Sequence, residues 1–324
     1  MKRKIVSLLL VCSMIVVIIS GCSRESVKMS RSNIRISGAW ALYPMMLVWA
    51  DEYMKLQPVE IEVSGGGAGK GISDVLSRQV DIGMVSRPIK NEELEQGAFY
   101  LAVTKDTVLG IIHEDNPFYA DIQQKGLSQE DLRKIFTREV TQWGELFGKN
   151  IENDSIVVFG RSDSSGAASV WATYLGNLTE ADLQNRSDSN VSGDQAIAGC
   201  VQDDPNAISF SNVNYVYDPI TGDYIQKIRP VPIDLNGNGL LDENENFYKT
   251  RESFLKSVSN GTYPSPPTRE EYLVGNGPFQ EDVKDFIFWI LNDGQNILEE
   301  NGYIPLLSEE QKRELECLNT GIRK

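Results

Sequence analysis

One unit recurs three times in this chain and narrows the fold more than anything else: a strand, a loop of small residues, then a helix. The three loops are Gly38-Ala39-Trp40-Ala41, residues 65–71, and Ser164-Ser165-Gly166-Ala167. The first unit reads as a strand at 34–36 and a helix over 42–56. Pro44 falls in that helix's first turn, where its missing N–H costs nothing. Residues 59–63 alternate apolar and acidic side chains, as a half-buried strand does. A helix through Val75 and Leu76 follows, then a strand at 80–85. That order is βαβαβ, the start of a mostly parallel sheet in an α/β protein.

The rest of the chain continues the alternation. Residues 99–112 are apolar and β-rich. Ser128-Gln129-Glu130-Asp131 opens a helix with a capping box, and Leu132, Ile135 and Phe136 supply its apolar face. A strand at 156–159 leads into the third loop and a helix over 167–175. Residues 207–210 read as a core strand, and 281–298 as one long amphipathic helix. Length allows two lobes, and no internal repeat stands out.

All three loops place small residues at a helix N-terminus. Free N–H groups and the helix dipole there favour an anion, and glycine lets the backbone approach it closely. Ordinary α/β turns use Gly and Ser as well, so a single loop decides little. Arg161, just before the third loop, has two readings: a bidentate fork for an oxyanion, or a structural ion pair with Asp163. Both hold together if Asp163 orients the guanidinium. Trp40 also has two readings, a wall of the ligand space or a core aromatic at a helix start.

The N-terminus lies outside the fold. Lys2, Arg3 and Lys4 precede an apolar run over 5–19, and Ile19-Ser20-Gly21-Cys22 closes it. This is the plan of a secretory signal. Cys after Ser-Gly resembles the lipobox of bacterial lipoproteins, which implies a signal peptide at 1–21, a lipidated Cys22 and a tether at 22–33. The alternative is an uncleaved anchor, for which the run is short. Without the signal, 31 less 3 leaves 28 basic against 46 acidic residues, a formal charge of −18. Such a surface argues against nucleic acid, and it requires that an anion be held by local donors. Export permits a disulfide between Cys200 and Cys317; the sequence leaves open whether they are close enough.

An ordered series of motifs resembles the periplasmic phosphate-binding proteins of ABC phosphate-uptake systems, over residues 34–306. The series runs through Gly38 to Pro44, then Gly67-Ala68-Gly69-Lys70-Gly71-Ile72, then Val80-Asp81-Ile82-Gly83-Met84-Val85-Ser86-Arg87. It continues with Trp143-Gly144-Glu145-Leu146, Arg161-Ser162-Asp163-Ser164-Ser165-Gly166-Ala167 and Asn301-Gly302-Tyr303-Ile304-Pro305-Leu306. The resemblance implies a two-lobed periplasmic binding protein type II fold, with mixed sheets flanked by helices and a ligand cleft between the lobes. Lobe 1 would hold 34–111 and 231–324, and lobe 2 would hold 112–230. Ligand contacts would fall at Ala39, Trp40, Ala41, Gly67, Ala68, Gly69, Ser86, Arg87, Arg161, Ser165, Gly166 and Ala167, with Asp163 behind Arg161. The partners implied are a small oxyanion such as phosphate, an ABC permease, and a membrane reached through the lipid anchor, for a monomeric, extracytoplasmic protein.

The chain departs from the family where hydroxyls are the rule. The first loop carries Ala39, Trp40 and Ala41, the second Ala68, and the last Ala167. Each lost hydroxyl removes a donor of about 1 kcal/mol net, more toward a charged acceptor. Two binding functions therefore stand side by side: capture of phosphate or a related oxyanion for a permease, and a divergent binding or sensor module of the same fold. A hydrolase is disfavoured. His113 is the only histidine, and it falls in an expected crossover loop.

A second motif is separate. Residues 234–245 fit the twelve-residue calcium loop of EF-hands: Asp234, Asn236, Asn238 and Asp242 at positions 1, 3, 5 and 9, Gly239 at 6, the Leu240 carbonyl at 7 and Glu245 at 12. Prolines before the loop exclude an entering helix, so a structural calcium loop inserted in another fold is expected. The other reading is a polar Asn-Gly turn.

Overall fold

The computed structural model describes residues 32–176 and 178–323. The first lobe opens with β1 (Ser32–Gly38), α1 (Tyr43–Leu56), β2 (Val59–Gly65), α2 (Ala68–Leu76), β3 (Ile82–Val85) and α3 (Asn91–Glu95). β1 pairs in parallel with both β2 and β3, which is the βαβαβ unit expected from the sequence. In α1, Pro44 sits in the first turn as foreseen, and Met45, Met46, Trp49, Ala50 and Tyr53 form the buried stripe.

β4 (Ala98–His113) then runs for 16 residues through both lobes. The second lobe is built from α4 (Tyr119–Lys125), α5 (Gln129–Phe136), α6 (Trp143–Phe147), β5 (Val157–Arg161), α7 (Gly166–Tyr174), α8 (Glu180–Arg186), β6 (Ser189–Val191), α9 (Asp194–Asp203), β7 (Ala207–Asn212) and β8 (Ile228–Pro230). The chain returns through α10 (Arg251–Ser259) and β9 (Thr268–Asn276), and ends in α11 (Glu281–Leu291) and α12 (Ser308–Thr320).

One hydrogen-bonded path joins the strands in the order β2-β1-β3-β9-β4-β7-β5-β6, with β8 also on β4. β4 makes this possible. Residues 98–107 pair antiparallel with β9, and its last residues pair with β7 and β8. The register shifts between Ala102 and Thr104, where the strand leaves one lobe for the other.

Two separate apolar cores confirm the two-lobed α/β architecture. Ile36, Met46, Trp49, Ile82, Leu101, Leu273 and Phe286 belong to the first. Leu109, Ile112, Trp171, Ile208, Phe210 and Tyr263 belong to the second. The division differs from the expected 111/112 and 230/231 boundaries. Val108, Leu109 and Ile111 pack in the second core, and so do Val231, Ile233, Tyr248, Phe254, Val258 and Tyr263. The reason is pairing: Pro230 sits opposite Ile111 on β4, so the segment carrying the 234–245 loop lies on the second lobe.

Two other expectations change, and the open question of the two cysteines is answered. The helix expected over 281–298 stops at Leu291, because Asn292 leaves the helical region and the next turn fits against Trp49, whose Nε1 donates to the Gly294 carbonyl at 2.9 Å. Cys200 and Cys317 are both free: Cys317 is buried in the first core, while Cys200 lies on α9, which packs on the second. His113 is not in a loop but ends β4, buried, with its Nδ1 accepting the Asp115 N–H at 2.9 Å. The signal sequence, Cys22 and most of the tether lie outside the described residues.

Candidate functional site

The loops singled out in the sequence come together between the lobes. From the first lobe come the ends of β1, β2 and β3. Ala39 N–H donates to the Met84 carbonyl at 2.9 Å, and Gly67 N–H to the Gly38 carbonyl at 3.0 Å, so the three loops support each other. From the second lobe comes the turn between β5 and α7. Gly69 N–H donates to the Ser164 carbonyl at 3.2 Å across the cleft. A Cβ at Gly67 would lie 2.6 Å from that carbonyl, and one at Gly166 would lie 2.0 Å from Ser86 Oγ. The lobes are therefore closed on each other, and glycine is needed where their backbones meet.

Arg161 ends β5, and its side chain is 1% exposed. Its Nε and Nη2 donate to the two Asp163 oxygens at 2.8 and 2.7 Å, and Nη1 donates to Asp194 Oδ2 at 2.9 Å. Burial opposes the charge, but Asp194 and Asp163 overcome it and hold the pKa above the ordinary arginine value. The ion pair with Asp163 is thus real, and it fixes the guanidinium at the cleft. Three of its five N–H groups are engaged this way, which leaves donors over.

Asp194 was not among the residues singled out in the sequence. It opens α9, is 1% exposed, and also accepts from Ser211 Oγ at 3.1 Å and Asn212 N–H at 3.2 Å. Asn212 Oδ1 in turn accepts from Arg269 on β9. Arg269 lies against Asp106 and Glu271, all buried where β4 and β9 pass between the lobes. A chain of buried polar groups therefore runs from the cleft arginine to the connecting strands. Burial pushes the Glu271 carboxyl well up, against the pull of Arg269.

The remaining candidates divide. Ser165 caps α7, accepting Ala168 N–H at 3.2 Å, while its own N–H goes to Glu180 Oε2 at 3.1 Å. Glu180, which the sequence did not flag, has its carboxyl raised by burial. Ser86 and Arg87 follow β3. Ser86 faces Gly166 across the cleft, whereas the Arg87 fork is turned to Glu93, at 3.0 and 2.6 Å. Ala39, Ala41, Ala68 and Ala167 are all nearly inaccessible; Ala39 and Ala68 are packed in the first core and Ala167 in the second. At Ala68 and Ala167, in the first turns of α2 and α7, the loops offer backbone N–H groups rather than side chains, while the Ala39 N–H is held by Met84. Trp40 is half-buried over Gly65 and Gly193.

In the 234–245 loop, Asp234 and Glu245 are buried, and among the described residues neither forms a salt bridge with a basic side chain. Asp234 accepts the N–H groups of Gly237, Asn238 and Gly239, and Glu245 those of Leu235, Asn236 and Asp242. The Asn236 and Asn238 amides both meet Asp242. Among the described residues, no three His, Cys, Asp or Glu side chains gather as a metal cluster. The donor set, all oxygen, has the chemistry of a hard-cation site.

A family model described as a PBP superfamily domain matches residues 24–293. The phosphate-binding protein PstS of Bacillus subtilis (strain 168) is 27% identical, over 94% of this chain and 95% of its own. PstS of Pseudomonas aeruginosa (strain UCBPP-PA14) is 25% identical over 85% and 83%. A solved structure of a putative phosphate ABC transporter substrate-binding protein from Clostridium perfringens, with bound phosphate, is 28% identical. It superposes with a TM-score of 0.68 over 85% of this chain and 100% of that one.

Proposed function

The chain belongs to the PBP superfamily, and from that we propose that it captures phosphate or a related oxyanion between its lobes and delivers it to an ABC permease. The carrying observation is Arg161, buried, charged and fixed by two carboxylates where the α2 and α7 loops meet. The guanidinium and the backbone N–H groups of those loops supply donors suited to an oxyanion. The relatives bearing the name phosphate-binding protein support phosphate as the first ligand to try.

The finer parts of this reading belong to the same proposal. Cys22 carries the lipid that keeps the protein at the outer face of a membrane as a monomer, and the acidic surface leaves no role for nucleic acid. Among the described residues, no helix is long and apolar enough to cross a membrane. The protein acts by binding and release, without catalysis. Calcium occupies the 234–245 loop, with Asp234, Asn236, Asn238, Leu240, Asp242 and Glu245 as ligands, and stabilises the second lobe.

Calorimetry on the mature protein tests the main claim. Heat is expected with phosphate, and Arg161→Ala should abolish it. Sulfate, molybdate and tungstate in parallel separate phosphate capture from the divergent module of the same fold. No heat with any of the four at millimolar ligand would end the oxyanion reading.

A further inference from the structure

Trp40 stands in a loop where the neighbouring alanines have given up their side chains to the core. Its ring reaches across the cleft. A Cβ at Gly65, the end of β2, would lie 2.3 Å from Cζ3, and one at Gly193, just before α9, would lie 3.4 Å from Cε2 and 3.5 Å from Nε1. The loop that bears it is tied from the other lobe, since Tyr215 Oη donates to the Trp40 carbonyl at 3.2 Å. The rest of the side chain is partly exposed, but Nε1 is sealed from solvent and has no hydrogen-bond partner among the described residues.

That unpaired N–H is unusual chemically. A buried donor without an acceptor costs free energy, and folded proteins leave few of them. Its surroundings name the missing partner. Gly193, the residue next to Nε1, donates its N–H to Asp163 Oδ1 at 3.2 Å, and Asp194 follows it. These are the two carboxylates that hold Arg161. The indole N–H therefore lies against the segment whose carboxylates hold the cleft arginine, and an indole can only donate.

We propose that Trp40 Nε1–H is a ligand donor: it gives a hydrogen bond to an oxygen of the bound oxyanion and takes over from the hydroxyls that Ala39 and Ala41 lack. This rests on the proposed function, and it adds which side chain of the first lobe touches the ligand. Because the donor sits on a ring that spans the cleft, the contact forms only when the lobes are closed. Gly65 must stay glycine for the ring to lie there, whereas a Cβ at Gly193 would make only ordinary contact with it.

The test uses inorganic phosphate with the wild-type mature protein and Trp40→Phe, which keeps an aromatic ring but removes the N–H. Calorimetry should show roughly a tenfold to hundredfold weaker affinity in the variant, the loss expected for one hydrogen bond to a charged group. In a ¹H–¹⁵N spectrum, the indole resonance missing from Trp40→Phe should move downfield when phosphate is added to wild type. An affinity within twofold of wild type, or an indole resonance that stays in place while wild type binds, overturns the proposal and leaves phosphate capture standing. Absence of binding by wild type overturns both.

Discussion

Gly166 offers a substitution whose effects on folding and on closure have opposite signs. It is the first residue of α7, with Ser165 as the cap before it, and its backbone is not in the left-handed region. Alanine is therefore compatible locally, and it is a better helix former than glycine by up to about 1 kcal/mol. Across the cleft, however, the added Cβ would lie 2.0 Å from Ser86 Oγ and 2.5 Å from the Ser86 carbonyl. The hydroxyl can rotate away, but the carbonyl belongs to the end of β3 and cannot. Restoring an ordinary contact of about 3.4 Å needs roughly 0.9 Å of separation between the lobes, and overpacking of this kind costs about 1–3 kcal/mol. Only the closed form bears that cost. Gly166→Ala should keep or raise the melting temperature without ligand, yet weaken phosphate binding about fivefold to a hundredfold. Small-angle scattering should show a more open particle at saturating phosphate. Wild-type affinity together with a wild-type scattering profile would refute the claim that Ser86 and Gly166 meet when the lobes close.

Two further outcomes follow from buried charge. Burial pushes the Asp106 carboxyl up to about 6, against the pull of Arg269. Between about pH 4 and 6 the folded chain thus keeps a proton that the unfolded chain has released, so stability falls as pH rises through that window. Urea unfolding across the range should show that slope, and Asp106→Asn should make it shallower; parallel slopes would contradict it. For the 234–245 loop, a chelator should lower the melting temperature by about 5 °C if calcium sits well above its dissociation constant. Glu245→Gln should remove that sensitivity, and a chelator without effect on wild type would dismiss calcium.

The units written in local chemistry were readable beforehand. Pro44 at a helix start, the alternation over 59–63 and the capping box at Ser128 each dictate their own surroundings, and each lies where it was expected. The loops around Gly67, Arg161 and Gly166 were found the same way. Asp194 was missed although a signal existed: Val191-Ser192-Gly193-Asp194 repeats the strand, small residues and helix of the other loops. Glu180 gave no such signal, because a carboxylate in the first turn of a helix is commonplace. What the chain does beyond local range was not legible. Nothing in 99–112 marks the point where the strand changes lobes, and nothing in 231–263 says which core its aromatic residues join. Those outcomes depend on strand partners far along the chain.

The path of β4 also governs how the molecule can be assembled. Its first half gains a strand partner only once β9 has arrived, and the pairs Leu101–Leu273 and Tyr100–Val274 join residues more than half the chain apart. Loop closure over such distances is slow, and contacts of this kind lower folding rates. The N-terminal lobe therefore cannot finish before the second lobe has been made, even though most of its strands come first. A chain cut before residue 268 would present a naked strand edge along β3 and β4, the type of surface that draws other chains into aggregates. The two lobes form two cores but a single folding unit.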